Sequence, residues 1–182
     1  MRITGGELRG RVLPAKVQRG VRPTSSRVRE ALFSIVGQDL VEVSVLDAFG
    51  GSGLLSFEAA SRGAQVTTVE RQRAAAQAIR ENASHLGVTL DLRVTDVRGV
   101  FSSGSWDVVL MDPPYDDDPV EWVAEATPAV EQLLVIEHRN GVGMPPEVGG
   151  LNLERSKRYG NTTLTVYRRR ADPGLNKAGV VA

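Results

Sequence analysis

The chain has 182 residues, 41% hydrophobic and 24% charged, a balance that suits one globular domain with a sizeable core. Lys plus Arg and Asp plus Glu both number 22, and the absence of cysteine excludes disulfide frameworks, thiolate metal sites and cysteine nucleophiles. His85 and His138 are too few for a histidine-built metal site, no apolar run nears the roughly 20 residues of a membrane span, and no secretory h-region precedes the core, so a cytoplasmic protein without metal is expected.

The zero net charge hides a strong asymmetry. Residues 1–30 carry eight basic side chains (Arg2, Arg9, Arg11, Lys16, Arg19, Arg22, Arg27 and Arg29) against Glu7 and Glu30. Residues 112–131 carry seven acids and no base. A cationic arm on a neutral protein suits a polyanionic partner, because phosphates respond to local potential.

Residues 1–17 alternate around Gly5-Gly6 and Gly10 and predict short strands in a hairpin-like arm. Residues 24–36 place Val28, Ala31, Leu32, Ile35 and Val36 on one helical stripe, with Thr24 or Ser25 as cap and Gly37 as stop. Arg27 and Arg29 then fall on the opposite face. Residues 43–49 read as a strand, Gly50-Gly51-Ser52-Gly53 as a turn, and 54–62 as a helix. Strand 66–70 and an alanine-rich helix 72–86 follow, then strand 89–94 with Asp96 just past its end. Strand 106–111 runs directly into Asp112-Pro113-Pro114-Tyr115, a helix spans 120–126, and strand 133–137 comes next. Segments 153–159 and 162–168 flank Gly160-Asn161 as a hairpin. This alternation predicts an α/β, doubly wound, mostly parallel seven-stranded sheet with an antiparallel C-terminal hairpin. Residues 1–37 form a basic arm and helix, 38–170 the main domain, and 171–182 a disordered tail.

Asp47 to Gly53 sits where doubly wound folds place a ligand, at the C-terminal end of the first strand. The dinucleotide pattern fails here, because Ser56 stands where the third glycine belongs. Asp47 would also repel a pyrophosphate. It suits a ligand with a positively charged amino group, such as S-adenosylmethionine. Glu70, 23 residues on, is placed to accept both ribose hydroxyls, and Asp96 to accept from an adenine amino group. Singly, each acid reads as well as a helix cap. The three together with the glycine loop point to the cofactor.

In Asp112-Pro113-Pro114-Tyr115 the prolines stiffen the backbone and remove two N–H donors, leaving carbonyls as acceptors. Asp112 adds a carboxylate and Tyr115 an aromatic face on which a base can stack. Two acceptors gripping the hydrogens of an aromatic amino group favour its pyramidalisation and aim the lone pair at an incoming methyl. Such a transfer needs positioning more than acid–base chemistry, which fits two histidines. A bare Pro-Pro would read as a rigid turn; its place after the cofactor set gives it the catalytic reading.

The two segments resemble motifs I and IV of class I amino-methyltransferases. Met1-Arg2-Ile3-Thr4-Gly5-Gly6, Arg9-Gly10-Arg11, Arg22-Pro23-Thr24, Arg27-Val28-Arg29-Glu30 and Tyr159-Gly160-Asn161-Thr162 extend the likeness to residues 1–170 and resemble the RsmD family, bacterial small-subunit rRNA guanine-N2 methyltransferases. The resemblance implies a Rossmann-like fold, S-adenosylmethionine as cofactor, and 16S rRNA in assembled or assembling 30S subunits as substrate for a monomeric enzyme. It implies cofactor contacts from Asp47, Phe49, Gly51, Ser52, Gly53, Glu70, Arg71, Asp96 and Val97, and a guanine held by Asp112, Pro113, Pro114 and Tyr115. Arg2, Arg9, Arg11, Arg22, Arg27 and Arg29 are the candidate phosphate contacts. Gly50 departs from the family's alanine and should loosen the loop. Asp112, where adenine-N6 and glutamine methyltransferases usually carry Asn, tilts the reading toward guanine. A DNA adenine methyltransferase is the alternative enzyme, and an RNA-binding assembly factor with a vestigial cofactor site the alternative outside enzymology. The first lacks sequence for a target-recognition domain; the second would have no reason to keep Asp47, Glu70 and Asp96.

Overall fold

Apolar strands and amphipathic helices alternate along the chain, and the strands assemble into one sheet. The computed structural model describes residues 1–14 and 25–170. Its helices are α1 (Ser26–Val36), α2 (Leu54–Ala60), α3 (Arg73–Leu86), α4 (Arg98–Phe101) and α5 (Pro119–Ala126). Its strands are β1 (Ser44–Asp47), β2 (Gln65–Val69), β3 (Asp91–Arg93), β4 (Trp106–Met111), β5 (Val130–Arg139), β6 (Glu147–Val148), β7 (Leu151–Tyr159) and β8 (Thr162–Arg169). The sheet order is β3-β2-β1-β4-β5-β8-β7-β6. The first five strands pair in parallel and the last three antiparallel. Among the described residues no helix is long and apolar enough to cross a membrane.

Sequence periodicity predicts seven strands; the sheet has eight. Glu147–Val148 pairs with the start of β7 through the Gly149-Gly150 turn. Pro145-Pro146 hides this strand in the sequence, yet proline is tolerated at a sheet edge, where a missing N–H breaks no ladder. The interior strands are apolar runs because helices cover both faces of a parallel sheet. β4, Trp-Asp-Val-Val-Leu-Met, is buried at every position but Asp107.

The doubly wound order reverses direction between β1 and β4, which lie side by side, and so opens a crevice at their C-terminal ends. Ser25 caps α1 through a 3.3 Å bond from the Val28 amide, and Thr24 lies outside the described residues. The buried side of α1 is Val28, Arg29, Leu32, Phe33 and Val36, rotated from the predicted stripe. Val28, Leu32, Phe33 and Val36 share a core cluster with β1, β4 and β5 residues. The N-terminal arm closes on itself through an antiparallel bridge between Arg2 and Val12.

One ionic knot fastens that arm to the core. Glu58, fully buried in α2, accepts from Arg29 Nε at 3.2 Å, from Arg62 Nη1 at 2.6 Å and from the Thr4 amide at 2.9 Å. Ser61 continues the seam by accepting from the Leu8 amide and donating to the Gly5 carbonyl. Arg62 also lies 4.2 Å over the Phe33 ring.

A candidate cofactor and base pocket at the strand ends

A cavity of about 1190 Å³ opens at the crevice, larger than a single small ligand requires. Its lining runs from the glycine loop through Glu70, Arg71, Asp96 and Val97 to Asp112-Pro113-Pro114-Tyr115, and on to Glu137 and Tyr159–Thr162. The topology thus brings the two predicted constellations into one space.

The glycine loop is held from behind. Gly50 donates to the Val69 carbonyl at 2.7 Å, tying the loop to β2. A Cβ on Gly50 would lie 2.8 Å from Thr68 Cγ2, so the threonine methyl already fills the space an alanine would use. The absence of a side chain at this position therefore leaves no slack, contrary to the sequence expectation. Gly53, with φ of 75°, begins α2 against Phe57 and Ile79.

Glu70 is half-buried, and both carboxylate oxygens are fixed by backbone amides: Gly51 to Oε2 at 2.8 Å and Gln72 to Oε1 at 2.7 Å. A carboxylate oxygen has room for a second donor, so these bonds orient Glu70 without exhausting it. Asp96 is exposed and accepts from the Arg98 amide at 2.9 Å. It thus holds the first amide of α4 and forms a wall of the cavity. Phe49 packs edge-on against Trp122, with ring centroids 4.9 Å apart, and Arg98 lies 4.2 Å over Trp122. Phe49, Trp122 and Arg98 make an aromatic, cation-backed wall.

Asp47 does not line the cavity, and neither does Gly53. Asp47 is 1% exposed and stands one layer behind the loop. Its Oδ2 accepts from Ser56 Oγ at 2.5 Å, and Ser56 accepts from Thr68 Oγ1 at 2.8 Å. Oδ1 is buried without a hydrogen-bond partner. Burial pushes the Asp47 carboxyl up to about 6. The Ser56 hydroxyl and the Phe49 and Ser56 amide dipoles pull it down, and the charge of Glu70 adds to the rise. Ser56, which breaks the dinucleotide pattern, therefore serves as the partner of Asp47.

Pro113 is buried, Pro114 exposed, and Asp112 and Tyr115 half-buried. The Pro114 carbonyl is engaged by the Asp117 amide at 3.1 Å. Of the outward carbonyls read from the sequence, this one is turned into the chain's own bend. The Tyr115 hydroxyl donates to Thr162 Oγ1 at 3.1 Å and lies 3.4 Å from Glu137 Oε1. Thr162 passes its own proton to the His138 carbonyl at 2.9 Å. Burial lowers the pKa of His138, partly offset by the Arg139 carbonyl. Sequence reasoning missed Glu137 and Thr162 as site residues, although Thr162 lies inside a quoted motif. Glu137 gave no local signal, because an acid closing an apolar strand reads as solvated.

The arginines divide. Arg2, Arg9, Arg11 and Arg27 are exposed, with Arg2 donating to the Gly10 carbonyl and Arg11 to that of His85. Arg29 is 5% exposed and committed to Glu58 and to the Arg2 carbonyl at 3.0 Å, so it is an anchor of the arm and not a phosphate contact. Arg22 lies outside the described residues, as do residues 171–182. The buried acid Glu58 in an otherwise apolar helix was the available clue to the role of Arg29.

Known proteins resemble this chain over most of its length. The family model described as conserved hypothetical protein 95 matches residues 1–168. The ribosomal RNA small subunit methyltransferase D of Escherichia coli is 32% identical over 94% of this chain and 91% of its own length. YlbH of Bacillus subtilis is 30% identical over 93% of this chain and 100% of its own length. The solved structure of yhhF from Escherichia coli superposes with a TM-score of 0.82 at 31% identity, covering 94% of this chain and 99% of that one.

Proposed function

From the premise that this chain belongs to the conserved hypothetical protein 95 family, the RsmD family its sequence resembles, we propose that it transfers a methyl group from S-adenosylmethionine to the N2 amino group of a guanine in small-subunit rRNA. The observation that carries the reading is the shared cavity: Glu70 and Asp96 at one end, Asp112 to Tyr115 at the other, with no wall between them.

The residues at the first end fit the cofactor. Glu70, preset by two amides, accepts from vicinal ribose hydroxyls. Asp96 accepts from the adenine amino group beside the buried Val97. The orphaned Oδ1 of Asp47 and the anionic loop floor favour a cation and disfavour a pyrophosphate. When bound, S-adenosylmethionine supplies an electrophilic methyl on a cationic sulfur.

At the other end the chain's own residues handle the base. The Tyr115 ring is fixed by its hydroxyl to Thr162, so it offers a stationary face for stacking. The Asp112 carboxylate and the Pro113 carbonyl accept the two amino hydrogens, because the Pro114 carbonyl already serves Asp117. Held this way, the amino nitrogen presents its lone pair to the methyl carbon, and one N–H proton leaves after transfer. Exposed Arg2, Arg9, Arg11 and Arg27 add phosphate affinity on the arm. The substrate is the assembled or assembling small subunit.

Radiolabelled methyl transfer to naked rRNA, 30S subunits, DNA and protein, with nucleoside analysis of the product, tests the reading. The expected product is N2-methylguanosine in 16S rRNA, lost in Asp112→Ala with cofactor affinity kept within a few fold. N6-methyladenosine in DNA, or unchanged turnover of Asp112→Ala, would overturn it.

A further inference from the structure

The chain turns basic a second time toward its C-terminal end, and the fold sorts those cations into engaged and open ones. Arg168 pairs with Glu154, and Arg169 donates to the Val130 and Thr127 carbonyls. Arg139, Arg155 and Lys157 are exposed, and among the described residues no carboxylate pairs with any of them. β6 covers β7 only at Leu151 and Asn152, and the Leu153 amide donates to the Pro146 carbonyl. Residues 154–159 are thus an open sheet edge among the described residues. Cross-strand partners share a face of a sheet. Arg155, Lys157 and Tyr159 stand opposite Val166, Leu164 and Thr162, and Arg139 stands opposite Thr162 from β5. Leu164 and Val166 belong to the core cluster that holds α1, so all four side chains lie on the α1 side. Arg155 to Tyr159 is about 13 Å of extended strand. The row ends at the cavity, which Tyr159 and Thr162 line. There the Lys157 ammonium lies 5.5 Å over the Tyr159 ring, which keeps a cation at the mouth.

The N-terminal arm stands at the other flank. It is fastened to α2, which packs on β1 and β2, and Arg11 reaches the His85 carbonyl at the end of α3. β7 lies beyond β5 and β8, on the far side of β4. The cavity therefore opens between two cationic surfaces. We propose that Arg139, Arg155 and Lys157 form a second surface for the RNA backbone, so that the strand carrying the target base crosses the mouth from the arm to β7. The inference rests on the rRNA reading above and gives that substrate a path. A line of cations beside an aromatic ring suits an unpaired strand, whose phosphates it can track. Charges on an edge strand also deter pairing with another chain, but either sign would do so, and this row carries one sign only. A stable protein partner would need an apolar centre. The exposed large apolar side chains among the described residues are Val12, Val41 and Val94, none of them on β7.

Two measurements test the path. Binding to small ribosomal subunits is titrated against salt for the unaltered protein and for Arg155→Gln with Lys157→Gln. The double variant should lower the slope of log affinity against log salt by about 1–2, and Arg155→Lys with Lys157→Arg should keep the parent slope. The urea midpoint of each variant reports its folding. The chain has no cysteine, so Lys157→Cys and Arg9→Cys each supply a unique thiol for a tethered iron–EDTA cleavage reagent. Both should cut 16S rRNA, and the two sets of cuts should fall on opposite sides of the methylated nucleotide. An unchanged slope in the folded double variant overturns the proposal. So does the absence of rRNA cuts from position 157, or their replacement by cuts in a ribosomal protein, which would assign β7 to a protein partner. Cuts from both positions on the same side of the nucleotide overturn it as well. Failure of the unaltered protein to methylate the subunits refutes the rRNA reading instead, and slope and cuts, read without turnover, keep the two failures apart.

Discussion

Asp47 offers a measurement on the protein alone. Its carboxyl is moved from 3.8 to about 6 by burial, equivalent to ~3 kcal/mol between the protonation states. The folded chain binds this proton more tightly than the unfolded chain does. Below about pH 3.8 both states are protonated and the group is neutral to stability. Between about pH 3.8 and 6 the unfolded chain ionises this group while the folded chain keeps it protonated, so stability falls across that interval and levels off above about 6. Asp47→Asn keeps an oxygen for Ser56 Oγ but cannot ionise. Between about pH 4.5 and 7.5 the unaltered protein should lose about 2 kcal/mol more than the Asn variant, the part of the ~3 kcal/mol that falls in that window. Urea unfolding at a series of pH values reads this difference, with other titrating groups cancelling between the two proteins. A cationic ligand should recover the loss, so S-adenosylmethionine affinity should rise with pH through about 6 and stay flat in Asp47→Asn. Parallel stability curves for the two proteins would refute the claim that Asp47 is a buried acid poised against a cation.

Three further outcomes follow from named contacts. Glu70→Ala should weaken S-adenosylmethionine binding by roughly 1.5–3 kcal/mol in calorimetry, the range for hydrogen bonds to a charged group; an affinity within twofold of the parent contradicts its role. Arg9→Ala with Arg11→Ala should lower the slope of log affinity against log salt for the rRNA substrate by about 1–2, whereas Arg29→Ala should leave the slope alone and lower the unfolding free energy. Glu58→Gln should cost about 3–5 kcal/mol, because the buried charges of Arg29 and Arg62 lose the carboxylate that both contact, and limited proteolysis should then cut within residues 1–14.

The sheet was legible because parallel strands buried on both faces leave continuous apolar runs, and 106–111 matches β4 at both ends. Glu70 and Asp96 were legible for a related reason: an acid directly after such a run falls at the ligand-binding edge whatever else it does. Asp47 obeys the same rule yet stands behind the loop, since a strand end fixes where a residue leaves the sheet and not which way its side chain turns. Arg29 was misplaced for a different reason. Periodicity sorts residues by polarity, so a buried arginine is assigned to the solvent face, and only the partner acid on another helix reverses the assignment.

Glu137 shows where the limit lies. It meets the Tyr115 hydroxyl, 22 residues earlier, and that hydroxyl reaches Thr162 because β8 returns antiparallel beside β5. No local pattern encodes that pairing. The antiparallel return also explains why the quoted Tyr159-Gly160-Asn161-Thr162 segment belongs to the site at all. It lets the β7–β8 turn reach the cavity edge, where Thr162 fixes the Tyr115 hydroxyl and, through it, the ring on which the base would lie. On the proposed function the C-terminal hairpin belongs to the base-binding end of the cavity, and a shortened turn there should impair methyl transfer while leaving the Glu70 end unchanged.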